Sequence, residues 1–379
     1  MKKIGIICEY NPFHNGHKYH IEKIKEMYPD SLLVLILSSS FTQRGNISIL
    51  NKWEKTEIAL NHNIDLVIEL PFEFSTQGAD IFAHGAIKIL KELKVDTLVF
   101  GSESNNPKEL IDIANIQLNN KKYDKLVKQY LDKGENYPTS LSLALKDICG
   151  NTVSLPNDLL GLSYVKEIIK QKANIEIVTI KRTNDFHNKD LNEEIVSASA
   201  IRNNLDDNNL INYVPEITYK YLKEKEKNNN YFLFLKYKIL TEQEQISKYQ
   251  TVDEGIHNRI LKYIENVNSI DELIQKIKTK RYTYNKLSRM FTHILCGFTK
   301  EEAKNIDINY IRVLGFNKKG TKHLNKIKKD INLPIITNLK KQYEEFLERE
   351  IKIDKLYSLI TNDKNNDYKR KPISMDYNE

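Results

Sequence analysis

Along the first half of the chain, short unbroken apolar runs alternate with stretches of helical period. The runs at 3–8 (KIGIIC), 31–38 (SLLVLILS), 64–70 (IDLVIEL), 97–100 (TLVF) and 175–180 (IEIVTI) are four to eight residues long and rich in Ile, Val and Leu. Runs of that length and composition predict strands buried on both faces. Between them, 16–28, 51–62, 78–94 and 157–172 carry apolar residues at helical spacing. Strand and helix in alternation predict a parallel sheet with crossover helices. From about 205 the pattern changes. Stretches 209–227, 231–239, 254–266, 270–278, 284–296 and 339–361 read as helices joined by polar connectors. The expected organisation is therefore an α/β domain at 1–205 and a mainly helical domain at 206–379, divided in the Asn-rich segment 203–209. The last dozen residues, rich in Asn, Asp and Lys, are expected to be partly disordered. No internal repeat is visible.

Composition narrows the class. With 379 residues, two domains are expected, and 40% apolar residues suffice for packed cores. No apolar run reaches the roughly 18–20 residues of a membrane helix. The start of the chain lacks a signal-peptide core, so a cytoplasmic protein with no membrane association is expected. Cys8, Cys149 and Cys296 are far apart and odd in number, which suits neither a disulfide framework nor a zinc site. The net charge of +7 is unevenly placed: residues 1–200 hold 24 basic and 26 acidic side chains, and 201–379 hold 34 and 25. Within 276–329, 15 basic residues face only Glu301, Glu302 and Asp307. Such a block is either a solvated, Lys-biased helix surface or a phosphate-backbone footprint. Only nine of the 58 basic residues are Arg, so an Arg carries more weight than a Lys.

The chemistry sits directly after the first strand, in Glu9-Tyr10-Asn11-Pro12-Phe13-His14-Asn15-Gly16-His17. Gly16 permits close backbone approach, and the helix start is expected to supply unpaired N–H groups. His14 and His17 can then face one anionic ligand, an arrangement suited to stabilising charge that grows at a nucleotide α-phosphate. A metal pair would need a third ligand, and none is nearby in sequence. The HxGH pattern resembles the (H/T)xGH signature of the nucleotidyltransferase superfamily that includes class I aminoacyl-tRNA synthetases. Ser197-Ala198-Ser199-Ala200-Ile201-Arg202 is similar to that superfamily's second phosphate-binding motif, although Ser197 or Ser199 would serve equally as a helix N-cap.

Further segments narrow the resemblance. Phe41-Thr42-Gln43-Arg44-Gly45, Lys52-Trp53, Asp65 to Pro71, Phe100 to Glu103, Tyr137-Pro138, Leu155-Pro156-Asn157, Thr179 to Arg182 and His187 resemble the bacterial tRNA(Met) cytidine acetate ligases, TmcAL. In the second half, Glu254-Gly255, Asn258-Arg259, Lys278 to Tyr284 and Tyr310 to Asn317 are similar to the same family. The chain departs from the family pattern at Ser38-Ser39-Ser40, at Asn46-Ile47-Ser48, and at Lys55, where an Arg is expected.

The resemblance implies a Rossmann-like nucleotidyltransferase domain and a two-step reaction. ATP and acetate form acetyl-adenylate, whose acetyl group passes to N4 of the wobble cytidine of elongator tRNA(Met). It further implies ATP contacts across Ile7, Cys8, Glu9, Tyr10, Asn11, Pro12, Phe13, His14, Asn15, Gly16, His17, Lys18, Tyr19 and His20. Gly101, Asn157, Arg182, Ser197, Ser199 and Arg202 complete the set, with His14 and His17 catalytic and Mg²⁺ accompanying ATP. Gly101 and Asn157 also suit ordinary turns, and Arg182 a surface ion pair. For tRNA, Lys278, Lys280, Arg281 and Arg289 surround Tyr282 and Tyr284, which suits phosphate contact plus base stacking, although tyrosines at this spacing also form cores. Asn317 to Lys329 is a second basic candidate, and Asp65 and Glu69 are either substrate-orienting or structural. No dedicated metal site and no obligate protein partner is expected. A small-molecule adenylyltransferase fits the two phosphate motifs equally well, and an RNA-binding protein with a vestigial nucleotide fold is a third reading. The basic second half favours the tRNA-modifying enzyme, and the intact His14, Gly16 and His17 speak against the vestigial fold.

Overall fold

The computed structural model describes residues 1–150, 153, 155–182, 196–225, 230–363, 367 and 370–375. His187 lies outside them. The five expected strands form as β1 (Lys3–Cys8), β2 (Leu32–Ser38), β3 (Leu66–Leu70), β4 (Thr97–Ser102) and β5 (Glu176–Lys181), paired in parallel in the order β5-β4-β1-β2-β3. β2 and β3 are buried at every position, which is why their sequences are continuous rather than alternating.

The chain winds from β1 outward to β3, then returns to place β4 on the other side of β1. β1 and β4 pair only at Ile4–Thr97 and Gly5–Leu98, although β1 continues to Cys8 and β4 to Ser102. The two strands therefore part towards their carboxyl ends, at the point where the winding reverses. Ligands of doubly wound sheets bind in such a crevice.

Three features differ from the sequence expectation. First, the sheet is completed from the second half: β6 (Ile311–Asn317) runs antiparallel to β3, and β7 (Ile335–Ile336) and β8 (Ile373–Met375) pair with β6. β8 also shows that residues 373–375, within the expected disordered tail, are held in the sheet. Secondly, helices Pro107–Asn119, Lys121–Asp132 and Tyr137–Cys149 stand between β4 and the helix Pro156–Lys170. Asn106, Asn120 and Asn136 cap their first turns, a local signal present in the sequence. Thirdly, the single helix expected at 209–227 is a 3₁₀ turn, Asn208–Asn212, followed by the helix Glu216–Lys223, with Pro215 at the break.

The helices Tyr231–Thr241, Ile256–Ile264, Ile270–Ile277, Tyr284–Cys296 and Glu344–Thr361 enclose a second core, into which the first half inserts Phe41 and Phe72. No helix among the described residues is long and apolar enough to cross a membrane.

Candidate nucleotide-binding active site

A cavity of about 360 Å³ occupies the crevice between β1 and β4. Its walls come from the end of β1 and the turn after it, the ends of β4 and β5, the loop after β2, and the helices that begin at Pro156 and Ala198. Of the residues expected from sequence, Ile7, Cys8, Glu9, Tyr10, Asn11, His14, Gly16, His17, Tyr19, His20, Gly101, Asn157, Arg182, Ser197, Ser199 and Arg202 all line it. Pro12, Phe13, Asn15 and Lys18 are not in the lining. Phe13 is fully buried against the sheet, Asn15 donates to the Asn212 carbonyl at 2.8 Å, and Lys18 is exposed, 3.9 Å from Glu22. These four shape the turn from behind.

The two histidines are locked by their own backbone. Gly16 N–H donates to His14 Nδ1 at 3.0 Å, and His14 N–H donates to His17 Nδ1 at 3.2 Å. This reciprocal pattern is a capping box for the helix Asn15–Met27, built from imidazoles in place of hydroxyl and carboxylate. Because both Nδ1 atoms accept, both rings carry their proton on Nε2, which leaves one Nε2–H per ring for the cavity. The ring centroids lie 3.9 Å apart. Burial, then the charges of Arg182 and Arg202, pulls His14 down to about 3. Burial likewise holds His17 well below its usual value and His20 at about 4. The imidazoles are thus neutral, pre-oriented donors at neutral pH.

The helix start itself differs from expectation. Asn15 N–H reaches the Tyr213 carbonyl at 2.9 Å, Gly16 N–H reaches His14, and His17 N–H reaches the His14 carbonyl at 2.8 Å. The first-turn amides are consumed inside the protein. The donors offered to a phosphate are therefore side chains.

Arginines supply the positive charge. Arg182 Nη1 lies 3.4 Å from Asn157 Oδ1, and its side chain packs 3.2 Å from where a Cβ on Gly101 would stand. Asn157 is fixed in turn, since its Nδ2 donates to Glu103 Oε1 at 2.5 Å. Asp158 reciprocates by accepting from the N–H groups of Glu103 and Ser104. Glu103 and Asp158 were not among the expected site residues; they clamp β4 to the helix that presents Asn157. Arg202 bridges the two phosphate motifs, donating to the Asn11 carbonyl at 2.8 Å and to Ser199 Oγ at 2.9 Å. Ser197 is a helix cap, accepting from Ala200 N–H at 3.1 Å, and it also faces the cavity.

The loop after β2 adds Thr42, Gln43, Arg44 and Asn46 to the cavity wall, none of which was an expected site residue. Lys55, 1% exposed, holds this loop by donating to the carbonyls of Ser38, Ser39 and Glu9 and to Ser48 Oγ, at 2.6–3.1 Å. All three departures from the family pattern thus meet, with Lys55 in direct contact with Ser38, Ser39 and Ser48. The far side of the loop grips the helix Tyr284–Cys296. Thr292 Oγ1 donates to the Gly45 carbonyl at 2.6 Å, and Gly45, at φ +83°, passes so close that a Cβ would stand 2.5 Å from Arg289 N. Arg289 feels the charge of Arg44 and is pulled down to about 10, chiefly by burial.

The remaining basic candidates divide. Lys278, Lys280 and Arg281 are exposed, and Tyr284 is 39% exposed with its hydroxyl on Asp271. Tyr282 is only 3% exposed, and its hydroxyl binds the Asp253 backbone, so it is a core residue and not a stacking platform. Lys280 pairs with Glu135 and Arg281 with Glu254, both from outside the 276–329 window. The charge counted along the sequence therefore overstates the free charge in space. The helix Lys318–Ile327 packs Gly320 against the Asp65 carbonyl and His323 against the Leu93 carbonyl, where β3 and β4 begin. The Asn317 to Lys329 candidate thus lies at the opposite end of the sheet from the cavity. Asp65 and Glu69 are structural: Asp65 accepts from Leu33 N–H and Asn317 Nδ2, and Glu69 pairs with Lys52. Among the described residues, no group of three or more His, Cys, Asp or Glu side chains is placed to hold a metal ion.

The model of the HIGH nucleotidyl transferase family matches residues 1–371. The chain is 41% identical to a tRNA(Met) cytidine acetate ligase of Anoxybacillus flavithermus, with 90% of each chain covered. It is 38% identical to one of Clostridium novyi, over 98% of this chain and 99% of that one. The fold superposes on Thermotoga maritima TmcAL bound to alpha-thio ATP with a TM-score of 0.90 at 28% identity, covering both chains in full. Superposition on apo TmcAL from the same organism gives 0.91. With a neutral histidine pair and clustered arginines set at the switch point of its sheet, and with relatives matching from end to end, the chain belongs to the TmcAL family of ATP-using ligases within the HIGH-motif nucleotidyltransferase superfamily.

Proposed function

We propose that this chain activates acetate with ATP and transfers the acetyl group to N4 of the wobble cytidine of elongator tRNA(Met), in the cytoplasm. The carrying observation is the cavity, where two Nε2–H donors and Arg44, Arg182 and Arg202 converge where a nucleotide would lie. In the first step an acetate oxygen attacks the α-phosphorus and pyrophosphate leaves. His14 and His17 donate to the oxygens on which charge grows, which neutral imidazoles do without first losing a proton. Arg182 and Arg202 offset the charge of the phosphates. Mg²⁺ would arrive with ATP, held by phosphate oxygens and water. In the second step N4 attacks the acetyl carbon and AMP leaves.

The reading is tested by incubating the protein with ATP, labelled acetate and total bacterial tRNA. Acetate-dependent pyrophosphate release with label on tRNA is expected. No acetate-dependent pyrophosphate release and no label on tRNA would sink the ligase reading and leave the small-molecule adenylyltransferase standing.

For tRNA, the exposed Lys278, Lys280 and Arg281 lead into the helix that grips the cavity loop, whereas the 317–329 stretch lies at the far end. Changing the three to Ala is expected to weaken tRNA binding roughly tenfold and lower the salt slope of binding by about 2. Affinity and slope both unchanged in a filter-binding titration would return this patch to ordinary surface.

A further inference from the structure

Among the described residues, Glu9 is the only carboxylate that lines the cavity, in walls that carry Arg44, Lys181, Arg182 and Arg202. Its placement is rigid. Its carbonyl accepts from Lys55 at 3.1 Å, its Oε1 accepts Gln43 N–H at 2.5 Å, and the next residue, Tyr10, is buried with φ +45°. No described residue donates a hydrogen bond to Oε2, and Glu9 lines the cavity.

Burial pulls Lys55, behind Glu9 and outside the cavity lining, down to about 7, while the histidines, thiol and buried phenols beside Glu9 are poor proton acceptors. His14 and His20 are pulled down to about 3 and 4, and His17 is held well below its usual value. Burial pushes the Cys8 thiol up to about 12 and raises Tyr10 and Tyr164 well above theirs, so all three stay protonated. Burial also raises Glu9, opposed by the Gln43 N–H and the charges of Arg44, Lys55 and Arg202. A carboxylate so placed is a stronger base than an exposed one.

We propose that Glu9 is the proton acceptor of the acyl-transfer step, an inference that rests on the function proposed above. The lone pair of cytidine N4 is delocalised into the ring, so the amine is a weak nucleophile that must shed a proton as it reacts. As N4 bonds to the acetyl carbon, its proton passes to Glu9 Oε2. The bond between that carbon and the phosphate oxygen breaks, and AMP leaves with the electron pair. Glu9, now a carboxylic acid, returns the proton to water. Glu9 thereby acts on the step after the one served by His14 and His17.

The test uses Glu9→Gln, which keeps an oxygen for Gln43 N–H, with two readouts on the full-length protein. These are acetate-dependent pyrophosphate exchange, and single-turnover transfer to tRNA from supplied acetyl-adenylate. Transfer is expected to fall by a factor of about 10² to 10⁴ more than exchange does. Wild-type transfer should rise with pH through one ionisation above the usual carboxylate range, and that limb should vanish in Glu9→Gln. A limb that persists belongs to another group, Lys55 first among them, and would overturn the proposal. So would equal loss of exchange and transfer, or a changed Mg²⁺ requirement for exchange, which would assign Glu9 to nucleotide binding. If Glu9→Gln is unfolded by circular dichroism, Glu9→Asp replaces it, with the same ratio expected to fall at least tenfold. A wild-type protein that fails both readouts refutes the ligase reading itself and is thereby distinguished from a failure of Glu9.

Discussion

Replacing His17 with alanine is expected to lower acetate-dependent pyrophosphate exchange by a factor of about 10² to 10³, the usual effect of deleting one pre-oriented donor to a developing oxyanion. The imidazole has two tasks that the experiment must separate. Its Nδ1 accepts His14 N–H and completes the helix cap, which is worth about 1 kcal/mol. Its Nε2–H is the donor left for substrate. His17→Glu retains a capping-box acceptor in place of the imidazole and should recover most of the lost stability, yet it should not recover exchange, because a carboxylate there repels the phosphates. Binding of tRNA should stay within about twofold of wild type in both variants. Exchange that returns with stability would show His17 to be only a cap, and a parallel loss of tRNA binding would refute the separation of tasks between the two halves. The same geometry sets a pH trend. The depressed histidines favour the folded state above their unfolded value of about 6.5, and this contribution is lost as pH falls through their folded values, His20 first and then His14.

A second large effect is expected at Lys52, which is 3% exposed and touches no nucleotide wall. Its ammonium lies 3.0 Å from Glu69, 2.5 Å from Asp354 and 3.0 Å from Asp367. Glu350 is close enough to be pushed well above the usual carboxylate range by burial and by Glu69. Arg312, 1% exposed, adds a second buried cation 3.9 Å from Asp367. Four carboxylates from β3, the helix Glu344–Thr361 and the tail thus meet two cations away from water. Lys52→Met would leave the carboxylates facing one another, and breaking such a buried pair from one side costs about 3–5 kcal/mol. Urea unfolding should show that loss, and Glu69→Gln added to Lys52→Met should restore part of it. Additive destabilisation by the two changes would show that the network is not coupled.

Asp354 gives the network a pH dependence of known sign. Burial raises its carboxyl to about 7, with Lys52 opposing. A raised acid stabilises the folded state below its unfolded value, and that contribution is lost as pH rises through about 7. Asp354→Asn mimics the protonated acid. Its stability relative to wild type should therefore increase as pH rises from 5 to 8, and a constant difference would show that Asp354 does not titrate there.

The parts of this protein legible in its sequence are those whose physics is local. A buried parallel strand announces itself as a short continuous apolar run, and all five such runs became strands. The HNGH turn was legible for the same reason, since its contacts span three residues. β6 was missed because Arg312 interrupts its apolar run and its partner, β3, lies about 245 residues earlier in the chain. The three helices between β4 and Pro156 were missed although their Asn caps stood in plain view. Tyr282 shows the converse. An aromatic among lysines reads as a base platform until a partner some 29 residues away buries its hydroxyl.

The sequence by itself determined the doubly wound sheet, the histidine turn and most of the residues that line the cavity, because period, turn chemistry and crossover topology need only neighbours along the chain. The tertiary structure decided what those residues have left to offer. It used up the helix-start amides, fixed the tautomer of both imidazoles and left Glu9 as the one acid lining the cavity among the described residues. It also paired Lys280 and Arg281 with carboxylates far away in sequence and set the two basic stretches at opposite ends of the sheet. Charge, hydrogen-bond saturation and desolvation depend on distances between remote residues, and only the folded chain sets those distances.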